Sequence, residues 1–276
     1  MSVYHSLIRW LEELKKEWND IIYNVNPVTK EIHDTVIVLI GKDTLQYALD
    51  LKKQGKIKKI LAWPAIDVVI SSTHIIYDSW IDGILMPSLW CKEYMLDLKK
   101  DYDEDKIIVR PAGVKDTWIS EKKSSQLLIY KKKCPEELYN IICNILDSLQ
   151  ISYSVIVYGL FNFNEYQNLL NDSMAMIYLQ ESESQWIALQ EARVKDIPTL
   201  VWDRWYRTYN WEKRRSASNI SCPWLTSTCG MTFTENANIR EKILNFIQLV
   251  DSFSPRSFCI SNYSDIVSTK IILQYI

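Results

Sequence analysis

The 276-residue chain carries a net charge of −2, with 47% hydrophobic and 12% aromatic residues. That balance supplies packed cores for about two domains and excludes global electrostatic steering toward nucleic acid. No apolar run reaches the roughly 18 residues that a bilayer-spanning helix needs.

The opening MSVYHSLIRWLEELKKEW has the pattern of an amphipathic helix rather than a signal peptide. TVIVLI (35–40) predicts a strand, and Gly41 opens a helix that starts near Asp43. KKILAW (58–63) and DVVIS (67–71) are further apolar runs, GILM (83–86) is a short strand, and Ser88 caps a helix over LWCKEYMLDL. KIIVR (106–110) comes next. Beyond it follow QLLIY, a helix over 136–149, SVIVYG, a helix over 164–170, MAMIYLQ, the Glu183–Glu191 helix, TLVW, a helix near 237–250 and a last amphipathic segment over about 264–275. Strands alternating with helices imply parallel sheets. Six cysteines (91, 134, 143, 222, 229, 259) form no CxxC pair and no zinc spacing, which predicts reduced thiols in a cytoplasmic protein.

The assembly this predicts is α/β, with two Rossmann-like domains facing a cleft. Residues 1–110 form the N-terminal domain, 111–252 the second, and 253–276 a tail crossing back to the first. Ligands of open parallel sheets bind beyond the carboxyl ends of the strands. Lys131 to Lys133, Gly159, Glu183 and Asp203 all follow strands, so they could share one crevice.

Glu183 and Glu191 bracket SQWIALQ, between the strand-like runs MAMIYLQ and TLVW. Eight residues of helix give about 12 Å of rise and about 80° of rotation, which leans both carboxylates toward one side. A helix N-terminus offers free N–H groups and partial positive charge to a diphosphate. A carboxylate at that turn accepts hydrogen bonds from sugar hydroxyls, and one deeper in the helix holds a ribose. The plain alternative is two helix-surface glutamates.

The stretch from Glu183 through Glu191 to ARVKDIPTLVWD resembles the Glu-(seven residues)-Glu signature of retaining glycosyltransferases of the GT-B fold. Ile197-Pro198-Thr199-Leu200 matches the start of that family's following strand. IIVRPAGVKDTW (107–118) is similar to its segment entering the donor domain, and the resemblance covers roughly residues 106–250. It implies a nucleotide-sugar donor in the second half and an acceptor over the first, which is shorter than the family norm and lacks its glycine-rich turn. Relatives carry Gly where this chain has Trp186. A Trp there closes the pocket, turns aside, or stacks on a base or sugar.

The resemblance further implies donor contacts from Ser184, Gln185, Trp186 and Glu191, and a cation near Lys131 or Lys132 that neutralises the leaving diphosphate. The alternative for the lysines is a solvated loop. The resemblance puts Tyr158 and Gly159 near the nucleotide base, where Gly allows close backbone approach and an aromatic ring can stack; the alternative is a plain strand-end turn. His74 would approach the anomeric centre from the first half, or is an ordinary structural histidine. Asp67, Asp78 and Asp82 have no motif around them. RWYRTYNWEKRR (204–215) reads as a binding loop for phosphate, sugar or single-stranded nucleic acid, or as a surface loop. Ser88 lacks a nucleophile elbow.

The function expected is transfer of a sugar from a nucleotide sugar to a glycan, lipid or protein, with retention, by Glu183, Lys132 and His74. No metal and no cofactor beyond the donor are expected. The alternatives are a non-catalytic sugar-nucleotide or glycan-binding protein descended from such an enzyme, and a nucleic-acid-interacting scaffold.

Overall fold

The computed structural model describes residues 34–39, 41–63, 75–117, 125–209, 212–234 and 237–276, with Glu12 and Lys15. The amphipathic N-terminal pattern, DVVIS, Asp67 and His74 lie outside the described residues. The chain divides into two compact units: Val114–Ser264, and the residues up to Gly113 together with Asp265–Ile276.

The first unit runs β1 (Thr35–Val38), α1 (Lys42–Lys53), β2 (Lys59–Ala62), β3 (Gly83–Met86), α2 (Leu89–Leu98) and β4 (Ile107–Val109). Among the described residues its four strands form a parallel sheet in the order β1-β2-β3-β4. GILM is apolar throughout because β3 is covered on both faces, as parallel strands are. Leu61, Trp63, Leu85, Ile108 and Ile272 make a core cluster here. Arg110 stacks over Trp63 at 4.8 Å and donates from Nε to the Ser268 carbonyl at 2.7 Å. Ser88 stands at the start of α2, but its hydroxyl donates to Cys91 Sγ at 3.0 Å instead of capping the helix.

The second unit runs β5 (Gln126–Lys133), α3 (Glu136–Ser148), β6 (Tyr153–Val157), α4 (Phe163–Asn171), β7 (Ser173–Gln180), α5 (Ile187–Val194), β8 (Thr199–Trp202), β9 (Tyr206–Tyr209), β10 (Glu212–Arg215), β11 (Gly230–Phe233), α6 (Ile239–Gln248) and α7 (Pro255–Tyr263). Its parallel sheet has the order β11-β8-β7-β5-β6. Side chains alternate faces along a strand. Leu128, Tyr130, Met176 and Tyr178 therefore pack on one side with Trp186 and Leu189. Leu127, Ile129, Ala175 and Ile177 pack on the other with α3 and α6. Each fully buried aliphatic side chain contributes about 1.5–3 kcal/mol.

Four elements differ from the sequence expectation. β5 does not stop at Tyr130; pairing of Lys131 with Val157 and Leu179 carries it through Lys133. The aromatic–basic stretch is an antiparallel ribbon, β9–β10, and not a loop. β11 was not expected. It pairs with β8 because Gly230 has φ 149° and lets its backbone pass so close that a Cβ there would lie 2.0 Å from the Thr199 carbonyl oxygen. The terminal segment is two helices, α7 in the second unit and α8 (Asp265–Leu273) in the first.

Candidate functional site

The strand character of β5 sorts its lysines. Lys132 continues the face of Leu128 and Tyr130, and Lys131 the face of Leu127 and Ile129. Lys131 accordingly pairs with Glu136 of α3 at 2.6 Å and sits 4.0 Å over the Tyr139 ring. Lys132 turns the other way, where its Nζ donates to Glu183 Oε2 at 2.6 Å and lies 4.5 Å over the Tyr158 ring. Lys133 pairs with Glu181 at 3.1 Å, and Arg204 of the following turn pairs with the same Glu181 at 2.8 Å.

Glu183 belongs to the turn that leaves β7. Its backbone N–H donates to the Ile220 carbonyl at 2.9 Å, which ties the turn to the segment after the β9–β10 ribbon. Tyr178 donates its phenol to Glu183 Oε2 at 3.1 Å. Burial first, and the Glu183 carboxylate second, raise the Tyr178 phenol well above its usual value, so it remains a donor. Tyr130 stacks on Tyr178 with ring centroids 5.0 Å apart. One carboxylate oxygen thus takes two donors at the carboxyl ends of β5 and β7.

The expected helical geometry between the two glutamates does not hold. α5 begins at Ile187, and Trp186 at its N-cap has φ 41° and ψ 35°, a left-handed conformation. The chain therefore turns sharply between Glu183 and Glu191, and the 80° rotation does not relate them. The Trp186 indole is fully buried, stacked on Trp224 at 6.3 Å and edge-on to Tyr263 at 5.4 Å. Of the three fates open to this residue in the sequence, the structure shows it turned inward. Ser184 and Gln185 are half-buried in the turn.

Glu191 sits within α5 at 5% exposure, and its charge is felt by Tyr166, Tyr130 and Lys195. Tyr158 is exposed at the end of β6, and Gly159 follows it with φ 85° and open space where a Cβ would be. Asp203, at the end of β8, accepts from the backbone of Trp205 at 2.9 Å and Ile220 at 3.1 Å. Burial raises its carboxyl above the usual value although those N–H groups pull the other way. Asp203 thereby fastens both ends of the loop that carries the ribbon.

The structure brings Lys132, Tyr158 and Glu183 together. It puts Lys131 on the opposite face of β5, Glu191 under cover in α5, and Ser184, Gln185 and Trp186 between Glu183 and the helix. Sequence reasoning passed over Tyr178. The signal was its place two residues after Met176 on an alternating strand, on the same face as Lys132. Among the described residues, no cluster of three or more His, Cys, Asp or Glu side chains is placed to hold a metal ion, and no helix is long and apolar enough to cross a membrane.

No protein-family model matches the sequence, and the curated proteins contain no match to it. Solved structures do match. The apo form of WaaB, a lipopolysaccharide outer core galactosyltransferase, is 15% identical, aligns with 99% of this chain and 80% of its own, and has a TM-score of 0.56. A variant of S. aureus TarM in complex with fondaparinux, α-GlcNAc-glycerol and UDP is 14% identical with a TM-score of 0.53; the alignment covers 83% of this chain and 57% of TarM. Anabaena Alr3699/HepE in complex with UDP and glucose is 6% identical with a TM-score of 0.56, over 88% of this chain and 77% of its own. At such identities the likeness carries the fold: this chain has the α/β architecture of two parallel sheets found in GT-B glycosyltransferases.

Proposed function

We propose that the chain is a glycosyltransferase that moves a sugar from a nucleotide-sugar donor to a glycan, lipid or protein acceptor, with retention of anomeric configuration. The observation that carries this reading is the Lys132–Glu183 pair, 2.6 Å apart at the carboxyl ends of β5 and β7. That is where open parallel sheets bind ligands, and α5 begins three residues after Ser184. The free N–H groups at the start of α5 favour a diphosphate.

In this reading the bond from the anomeric carbon to the diphosphate breaks as the acceptor hydroxyl oxygen bonds to that carbon on the same face, and the hydroxyl proton passes to the departing phosphate oxygen. The Lys132 ammonium stabilises the negative charge that develops on the departing diphosphate. Glu183, held by Lys132 and Tyr178, accepts hydrogen bonds from sugar hydroxyls and fixes the sugar's orientation. Tyr158 and Gly159 border the base. Glu191 is the assignment this geometry supports least, since a ribose hydroxyl would have to enter beneath α5 to meet its covered side chain. His74 stays a proposal from the family resemblance.

A thermal-shift panel of UDP-, GDP-, ADP- and CMP-sugars tests the reading, beginning with UDP-sugars because two similar structures hold UDP. A donor at about 100 times its dissociation constant stabilises the folded chain by about 2.7 kcal/mol. A selective shift followed by sugar transfer supports the reading. A selective shift without transfer to any acceptor supports the non-catalytic binding protein, and no shift from any donor removes both.

A further inference from the structure

Ile220 and Ser221 are both fully buried, and their polar groups tie the end of β7 to the end of β8. Asp203, at the end of β8, accepts from the Ile220 N–H at 3.1 Å, and the Ser221 N–H also favours its charge. In the turn after β7, the Glu183 N–H donates to the Ile220 carbonyl at 2.9 Å. The Ser221 hydroxyl donates to the Gln180 carbonyl at 2.6 Å and lies 3.1 Å from that of Glu181. The Ile220 carbonyl and the Ser221 N–H belong to one planar trans peptide, whose two polar groups point opposite ways. One rigid unit therefore stands between Asp203 and the backbone of Glu183.

Asp203 is suited to be the fixed end of this relay. Its own N–H donates to the Phe233 carbonyl at 2.9 Å, alongside the β8–β11 pairing, and its side chain also takes the Trp205 N–H at 2.9 Å. Being fully buried, it has no surface to offer a sugar or a nucleotide. Glu183 is held at two ends. Lys132 and Tyr178 grip one carboxylate oxygen, and Ile220 holds the main chain. The grip at the tip lets the side chain pivot about that oxygen, and the main-chain tether removes this freedom. A binding group orients a ligand only when supporting bonds hold it to within about 0.5 Å. Loss of the Asp203 acceptor leaves buried N–H groups unmet. The peptide then turns to find partners and takes Glu183 with it.

We infer that Asp203 is a positioning residue for Glu183, acting through the Ile220–Ser221 peptide, and thereby sets how strongly the site distinguishes a nucleotide sugar from the bare nucleotide. The last clause rests on the glycosyltransferase reading; the linkage from Asp203 to Glu183 does not. Asp203 touches no reacting atom, so its effect on a ligand passes entirely through Glu183.

Crystal structures of the wild-type and Asp203→Ala chains, with calorimetry of UDP and a UDP-sugar, test this. Asp203→Ala should turn the Ile220–Ser221 peptide and displace the Glu183 carboxylate by about 1 Å from its wild-type place. It should reduce the preference for the UDP-sugar over UDP about fivefold and leave UDP affinity within about twofold. Asp203→Asn, which keeps one acceptor oxygen, should fall between. Added to Glu183→Gln, Asp203→Ala should change the preference no further, since both act on one contact. An unmoved Glu183 in Asp203→Ala overturns the linkage. Equal weakening of UDP and UDP-sugar, or a full second loss in the double variant, overturns the role in discrimination. Should Asp203→Ala fail to fold, Ser221→Ala, which releases the Gln180 and Glu181 carbonyls from the same peptide, replaces it, and an unmoved Glu183 there overturns the linkage. A displaced Glu183 in a chain that binds no UDP-sugar keeps the linkage and drops the enzyme; a UDP-sugar preference that ignores Asp203 does the reverse.

Discussion

Lys132 Nζ and Glu183 Oε2 meet at 2.6 Å across 51 residues of sequence, and Tyr178 donates to the same oxygen. The side chains are 22% and 12% exposed, so water screens the pair only in part. Lys132→Met leaves Glu183 with its charge less compensated and should destabilise the fold by about 1–3 kcal/mol. Turnover should fall by about 10²–10³, the loss seen when one transition-state donor is removed. Urea unfolding and initial rates measure the two effects; an unchanged rate would remove Lys132 from the chemistry.

Trp186→Gly should cost stability even though it restores the residue usual in the resembling family. Removing a fully buried indole costs about 3–5 kcal/mol, and relief of the left-handed backbone returns about 1 kcal/mol. A net loss of about 2–4 kcal/mol is expected in chemical unfolding. A gain in stability would mean that the indole is not packed as described.

Two glycines with positive φ should behave differently. Gly159 at φ 85° faces open space, so Gly159→Ala pays only for the backbone, about 1 kcal/mol. Gly230→Ala also drives a methyl to 2.0 Å from the Thr199 carbonyl oxygen, which forces β11 off β8. A loss above about 3 kcal/mol, or failure to fold, is expected there. Equal melting temperatures for the two variants would contradict the β8–β11 pairing.

The Cys259 thiol is pushed from 9.0 to about 12, first by burial. Between those values the unfolded chain releases a proton that the folded chain keeps. The contribution is therefore fully present below pH 9 and is lost as pH rises toward 12, by up to about 1.4 kcal/mol per pH unit. Cys259→Ala should flatten the alkaline arm of the stability–pH curve. An identical slope in the variant would contradict the burial of this thiol.

Much of this fold is written locally. QLLIY and MAMIYLQ are apolar enough to be read as buried strands, and they became β5 and β7. The Glu183–Glu191 spacing marks the turn where Lys132, Tyr178 and Glu183 meet. What local pattern hid was decided by distant partners. Three lysines after QLLIY look like a wet loop, but β6 and β7 pair with them and thereby split Lys131 from Lys132. The inward turn of Trp186 depends on Trp224 and Tyr263. β11 needed Gly230 to approach Thr199, which four residues of sequence do not announce.

In the proposed reaction Glu183 holds the sugar of a nucleotide-sugar donor. Calorimetric affinities of a UDP-sugar and of bare UDP, each for wild type and Glu183→Gln, test it most directly. The prediction is that wild type binds the UDP-sugar more tightly than UDP, and that Glu183→Gln removes most of this difference while leaving UDP affinity nearly unchanged. Equal weakening of both ligands, or no binding of either to wild type, would contradict it.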